Sequence, residues 1–374
     1  MADEASHVRV YLPLENERLR FEEAISRSST FDVQIGGHIH PCDIRRIHVT
    51  GDPEEAARSR FIAIVVPAFA HEAVLSRIAG FLSHGHVLLV LPARSGFEYA
   101  ARTMDQLGER GGPCVVGFQT LPWACRTDRF GQSVAIHAAK RRVGAASLPN
   151  REIFEIDHQL GRWLRIPVVP YHSMLELSLA NTGQLIHPGI MYACFGNRRD
   201  EVFRSPSEIP PFYASVSEQA ASLLSAMSDE ILKIRDDVET GYPHVRLPRV
   251  VHLGRWLLDA YGSEIEDASS LARMFQTNRG YCGLAVPVTE SPNGYRIDVQ
   301  ARYLTEDLPF GLVVSKGIAA IVGTRTPMID EVIIRTSHWI KKEYLVGSEL
   351  AGQDVATTRA PQRFGIADIG GLVV

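Results

Sequence analysis

The spacing of apolar positions changes part-way along this chain. In the first part, short apolar or alternating runs are separated by longer mixed stretches. HVRVYL (7–12) reads as a strand and the charged stretch 14–27 as a helix. FDVQI (31–35) and IRRIHVT (44–50) read as a hairpin-like excursion around Gly36-Gly37. RFIAIVV (60–66) lacks polar alternation, which predicts a strand buried on both faces of a parallel sheet. A helix over 71–82 follows, with Val74, Leu75, Ile78 and Phe81 on one stripe. Strand HVLLVL (86–91), helix 97–109, strand CVVGFQ (114–119) and two short strands within 132–147 complete the series. This rhythm predicts a doubly wound α/β sheet.

From about residue 150 the pattern turns helical. Ser173 and Glu176 have the S-x-x-E form of a capping box. From Val216, the positions Ala220, Leu223, Leu224, Met227, Ile231, Ile234 and Val238 predict one long amphipathic helix closed by Gly241. VPVTESPNGYRIDV (286–299) reads as a hairpin around Asn293-Gly294, and Pro309 and Pro327 sit where helices would start. The expected architecture is α/β plus all-α: a sheet domain over 1–165, a helical domain over 166–350 and a loose tail over 351–374. The hinge is expected near 160–172.

Composition narrows the partners. Of 374 residues 45% are apolar and 22% charged, and the formal net charge is −4 with no massed basic stretch. Nucleic acid and acidic membrane surfaces are poor partners for such a chain. The five cysteines form no CxxC pair, which fits a reducing cytoplasm and argues against a disulfide framework. FIAIVVPAFA (61–70) is shorter than the ~20 residues a membrane helix needs, and MADEASH lacks the features of a signal peptide. His38-Ile39-His40 and His84-Gly85-His86 have a metal-ligand spacing but no neighbouring carboxylate or cysteine set, so no metal site is expected.

Two stretches carry candidate acid–base chemistry. NTGQLIHPGIMY (181–192) sets His187 among apolar neighbours, and ARYLTEDLPFG (301–311) places Arg302, Glu306 and Asp307 before an apolar helix. A carboxylate there is stabilised by free N–H groups, and beside a histidine it would orient the imidazole for proton transfer. A plain structural reading also fits: Asp307 as a helix cap and His187 as a satisfied core residue. VPAFAHEAVL (66–75), LPARSGF (91–97) and QTLPWACR (119–126) each follow a strand, so three loops share the edge where open α/β sheets bind ligands.

Taken together, VPAFAH, QTLPWACR, IHPGIMY and RYLTEDLPFGL resemble the opine dehydrogenases of the octopine/nopaline type, from about residue 8 to about 345. The resemblance implies a Rossmann domain, a helical domain and a substrate cleft between them. It implies condensation of an amino acid with a 2-oxo acid, often pyruvate, and reduction of the imine by NADH or NADPH. It assigns proton transfer to His187 with Asp307 as partner, and the substrate carboxylate to Arg302. Thr120 and Cys125 fall where the oxo acid is contacted, and Pro67, Ala68 and Phe69 where the cofactor is. Arg94 stands where octopine dehydrogenases carry glutamine; a cation there would also suit a carboxylate. Gln119 replaces a glutamate that pairs with substrate arginine, so the amino donor stays open. The expected protein is cytoplasmic, a monomer or homodimer.

The G-x-G-x-x-G turn that holds a dinucleotide's pyrophosphate is absent from the sequence. The resemblance makes HVRVYL the second strand of the sheet, and a βα unit does not fit into the seven residues before Val8. The expected sheet is therefore an incomplete Rossmann fold. Either the recorded start lies inside a longer enzyme, or the chain has lost cofactor binding. The unpaired central edge such a start would leave favours the former. No acid stands directly at the end of HVRVYL; Glu15 is the nearest, which leaves NAD and NADP both open. A non-catalytic binding protein and a simple 2-oxo acid reductase remain the alternative functions.

Overall fold

The computed structural model describes residues 7–104, 107, 112–150 and 153–373. The chain divides into two compact units. One comprises 1–93 with 101–171, and the other 94–100 with 172–374.

The first unit opens with β1 (Val8–Tyr11), α1 (Glu15–Ser26), β2 (Thr30–Ile35), β3 (His38–Asp43), β4 (Ile47–Thr50), α2 (Pro53–Ala56), β5 (Phe61–Ile64), α3 (Ala68–Ile78) and β6 (Val87–Val90). Helix α4 (Phe97–Arg102) spans the division. Then come β7 (Cys114–Phe118), β8 (Trp123–Arg129), β9 (Ser133–Ala139), β10 (Val143–Leu148), α5 (Ile153–Leu164) and β11 (Val168–Pro170). The main sheet has the order β11-β10-β7-β6-β5, with β5, β6 and β7 parallel and β10 antiparallel to β7. Its core packs Leu89, Leu91, Val116, Phe118, Val143 and Ala145 against Ile153, Leu160 and Leu164 of α5. Because β5, β6 and β7 run parallel, the loops that follow them leave from one edge of the sheet.

Several expectations are corrected. HVRVYL does not join the main sheet: β1 pairs in parallel with β4 in a separate two-stranded sheet. The hairpin partner of β2 is β3, not IRRIHVT, because the positive φ of Gly36 and Gly37 turns the chain at once. β5 is an edge strand, so only Ile64 of it is buried. QTLPWACR runs into a strand, β8, which pairs with β9 and is largely exposed. Helix 71–82 begins earlier, at Ala68. Helix 97–109 is described only to Arg102; 105, 106, 108 and 109 lie outside the described residues, as does most of GERGGP.

The second unit contains α6 (Met174–Leu179), α7 (Gly183–Phe195), β12 (Val202–Phe203), α8 (Glu218–Gly241), α9 (Leu253–Tyr261), α10 (Leu271–Gln276), β13 (Val288–Ser291), β14 (Gly294–Ile297), α11 (Arg302–Thr305), α12 (Val313–Val322), α13 (Pro327–Trp339) and α14 (Ile369–Val373). The long helix forms where its spacing predicts: Ser217 caps α8 through the Ala220 amide, and Leu224, Met227, Ile231, Ile234 and Val238 are buried. The Ser173 hydroxyl caps α6 through the Glu176 amide, while the Glu176 carboxylate accepts from the amides of His172 and Arg249. The hairpin β13–β14 forms, but its turn residues are Pro292 and Asn293, and Gly294, with φ of +124°, already pairs with Ser291 as the first residue of β14. The tail is not loose. Thr358, Arg359, Ala360 and Pro361 are buried, and the Arg359 guanidinium lies over the rings of Phe97 and Phe310.

Candidate active site

His187 projects from α7 one residue before Pro188, which lies inside the helix. Proline has no N–H to return to the Gln184 carbonyl, so the ladder is interrupted beside the imidazole. Asp307 precedes a π turn, Leu308–Leu312, in which the Leu312 amide reaches the Asp307 carbonyl (3.0 Å). Pro309 and the non-helical backbone of Phe310 prevent a regular α-helix here, and wide turns of this kind recur at functional sites.

The two side chains meet. His187 Nδ1 lies 2.7 Å from Asp307 Oδ2. Asp307 makes no side-chain cap to the helix that follows, so the capping reading fails. Burial alone would push its carboxyl up, but the charge of Arg94 and the hydrogen bond with His187 hold it below the ordinary carboxylate value. An ionised Asp307 can only accept, so Nδ1 carries the hydrogen and Nε2 of the neutral ring is the basic nitrogen. The Tyr213 hydroxyl lies 3.1 Å from Nε2 and donates to it. Burial raises the Tyr213 phenol well above its ordinary value, which keeps it a donor. Tyr303 stacks on the imidazole, with centroids 4.2 Å apart and planes 13° from parallel.

Two guanidiniums complete the cluster. Arg94 Nη1 lies 2.6 Å from Asp307 Oδ1, and its Nη2 lies 3.5 Å from Glu306. Arg302 Nε lies 2.5 Å from Glu306 Oε2, while its side chain stays 55% exposed. The helical unit therefore brings together His187, Asp307, Arg94 and Arg302. Arg94 faces carboxylates of the protein itself, unlike the substrate contact expected for it. Tyr213 is not among the candidates from sequence and PPFYASVSE (210–218) does not announce it; Glu306 stands beside Asp307 in the candidate stretch but without a role of its own. Tyr303 sits inside RYLTEDLPFGL but matches no chemical pattern there.

The remaining site residues belong to the sheet unit. Gln119 is buried and its backbone N–H donates to the Gly144 carbonyl (2.9 Å). The Thr120 hydroxyl accepts from Lys140 Nζ (2.6 Å), and Cys125 is exposed on β8. Pro67 is the cap position of α3, Ala68 is buried and Phe69 is exposed. Glu15 begins α1 and, with Leu12, Pro13, Arg18, Thr50, Gly51 and Asp52, lines an open cavity of about 430 Å³ at the C-terminal ends of β1 and β4. Among the described residues, no group of three His, Cys, Asp or Glu side chains could hold a metal ion, and no helix is long and apolar enough to cross a membrane.

Comparison with known proteins decides the family. Residues 170–340 match the model for the α-helical domain of NAD/NADP octopine/nopaline dehydrogenases. The opine dehydrogenase of Haliotis discus hannai is 35% identical over 334 residues, which cover 87% of this chain and 80% of that protein. The chain belongs to the opine dehydrogenase family. As a family member it is an oxidoreductase. The tauropine dehydrogenase of Arabella iricolor is 36% identical over 87% of this chain and 82% of its own. An octopine dehydrogenase solved with NADH and L-arginine superposes with a TM-score of 0.87 at 29% identity, covering 98% of this chain and 91% of that one. The fold is thus that of an opine dehydrogenase, a Rossmann-like sheet domain and a helical domain.

Proposed function

We propose that this opine dehydrogenase catalyses the NADH- or NADPH-dependent reductive condensation of an amino acid with a 2-oxo acid such as pyruvate, with His187 as acid–base group and Asp307 as its orienting partner. The 2.7 Å contact between Nδ1 and the Asp307 carboxylate carries this reading. It fixes the tautomer that leaves Nε2 basic. At Nε2 the ring takes a proton from the substrate ammonium, and the free amine attacks the 2-oxo carbon; a proton passes from that nitrogen to the alkoxide, and the ring returns its own proton to the resulting hydroxyl, which leaves as water and gives the protonated imine. A proton exchanging there competes with the Tyr213 hydroxyl. Arg302 suits a substrate carboxylate: its Nε rests on Glu306, its side chain is about half exposed, and its two terminal nitrogens have the geometry for a bidentate grip.

A bound nicotinamide cofactor supplies the hydride. The cavity lined by Glu15, Asp52 and Arg18 suits the adenosine half of such a cofactor, because carboxylates accept hydrogen bonds from a ribose diol. Pro67, Ala68 and Phe69, after β5, are the further candidates for contact with it. Gln119, Thr120 and Cys125 are assigned to the oxo acid and amino donor. A neutral Gln119 offers no charge to a guanidinium, which favours an amino donor without one.

The test is nucleotide oxidation followed by absorbance, with a panel of amino acids and 2-oxo acids supplied singly and together. Turnover is expected only when both are present. Turnover with a 2-oxo acid alone would instead make this a simple reductase, and silence across the panel would favour a binding protein. In the active mixture, His187→Ala and Asp307→Asn should each lower the rate by about two to four decades. Near-normal rates in either would remove the assigned role.

A further inference from the structure

Arg94 is placed by a strained and well-anchored piece of chain. Its φ is +61°, in the left-handed region that residues with a Cβ seldom adopt. The next two residues clamp it. The Ser95 amide donates to the Phe310 carbonyl (2.9 Å), and the Ser95 hydroxyl donates to the Ser178 carbonyl (2.9 Å). The Gly96 amide donates to the Ser178 hydroxyl (3.0 Å), and Asn181 Nδ2 donates to Ser95 Oγ (3.2 Å). A side chain at Gly96, whose φ is +70°, would meet the Arg359 carbonyl oxygen at 2.5 Å. An unusual backbone held this firmly points to a task for the side chain it presents.

That side chain ends on the two buried carboxylates. The bond to Asp307 Oδ1 is 2.6 Å, so Oδ2 is left for His187, and the Arg94 side chain is only 15% exposed. Its Nε is buried without a partner among the described residues. The guanidinium is thus directed by the carboxylates of the cluster and not by general hydrogen-bond satisfaction.

The charges explain the need. The groups facing His187 are Asp307, the phenols of Tyr213 and Tyr303, and the ring of Phe212. Behind Asp307 stand Arg94, Glu306 and Arg302. Two carboxylates and two guanidiniums balance, so a neutral imidazole completes the cluster at zero net charge. Without Arg94 the cluster holds one negative charge in excess, and a proton on His187 is the nearest way to cancel it.

We propose that Arg94 is a positioning residue for proton transfer at His187: it orients Asp307 and offsets its charge, so that the imidazole can release a proton as readily as it takes one. This rests on His187 being the acid–base group. The role considered for Arg94 from sequence, a contact to a substrate carboxylate, does not make the same predictions.

The experiment uses the full chain and the variants Arg94→Gln, Arg94→Lys and the double variant Arg94→Gln/Glu306→Gln. The first readout needs no substrate: NMR titration of the His187 ring, assigned by loss of its signals in His187→Gln. Arg94→Gln should move the titration midpoint up by roughly one pH unit. Arg94→Lys and the charge-balanced double variant should leave it near that of the parent. The second readout is steady-state kinetics. Arg94→Gln and the double variant should lower kcat about tenfold or more, because Asp307 loses its fixed orientation, with the KM for the oxo acid changed less than about threefold. An unchanged midpoint in Arg94→Gln would overturn the proposal. So would a large rise in KM with kcat preserved, which would return Arg94 to the substrate carboxylate. If Arg94→Gln does not fold, the kcat and KM of the double variant decide. Full turnover in His187→Gln would refute the acid–base reading itself, whatever the titration shows.

Discussion

Asp307 shows how one buried carboxylate is kept charged. Its side chain is 1% exposed, and burial opposes ionisation, yet the Arg94 charge and the His187 hydrogen bond beside it hold its carboxyl below the ordinary range. A pKa depressed in the folded state adds stability that is fully present above the unfolded value of ~3.9. That stability is lost as pH falls through the lowered folded value. Urea midpoints measured from pH 5 down to pH 2 should therefore fall with acidification, and the fall should be shallower in Asp307→Asn. Equal slopes in the two proteins would mean that Asp307 is not held as described. The sequence named both partners of the dyad, because a histidine and an aspartate in long, specific motifs can be matched to a family. It could not show that Arg94 serves the same aspartate. Residues 94 and 307 are brought together only by a backbone turn with positive φ, for which the local sequence holds no pattern.

At the scale of elements, α7 reaches its position by lying close against α8. A Cβ at Gly189 would stand 2.5 Å from Leu224 Cδ2 and 3.3 Å from Met227 Sδ, and Leu224 and Met227 are fully buried. Gly189→Ala should gain helix propensity but force these side chains apart, with a net loss of about 1–2 kcal/mol. Chemical denaturation would measure it. In a double-mutant cycle, Leu224→Ala should recover part of the loss; strict additivity would show that the contact is not the cause. The amphipathic spacing of α8 was legible because burial on one face leaves a period of 3.6 residues. The status of β5 was not legible. Its apolar run reads as an interior strand, yet it lies at the edge of the sheet, because strand order is a matter of long-range pairing. The same is true of HVRVYL, which forms a strand as its residues predict but pairs with β4 alone among the described strands.

At the scale of the whole chain, the helical unit is not one continuous segment. It recruits 94–100, whose Phe97, Tyr99 and Ala100 are almost fully buried. Within that unit, Phe97 lies under the Arg359 guanidinium and Tyr99 approaches Phe364 at 6.4 Å. A fragment of residues 172–374 alone should therefore be less stable than the same unit in the full chain, by at least about 3 kcal/mol, the cost typical of losing one large buried aromatic side chain. Supplying a peptide of residues 92–104 in trans should restore part of the lost thermal stability. A fragment as stable as the full chain, and indifferent to the peptide, would contradict the assignment of 94–100 to this unit.

The sequence by itself determined many of the strands and helices, the change from a sheet-forming to a helical half, the family, and His187, Asp307 and Arg302 as candidates for the site. Those properties follow from side-chain periodicity and from residue types set a short distance apart, which are local quantities. Only the tertiary structure shows that the Asp307 carboxylate lies against the imidazole instead of capping its helix, that the Tyr213 hydroxyl lies at Nε2, and that Arg94 reaches the same carboxylate. Each of these is a contact between residues distant in sequence. Such contacts matter because a buried charge or polar group left without its partner is costly, and the partner lies in another stretch of the chain.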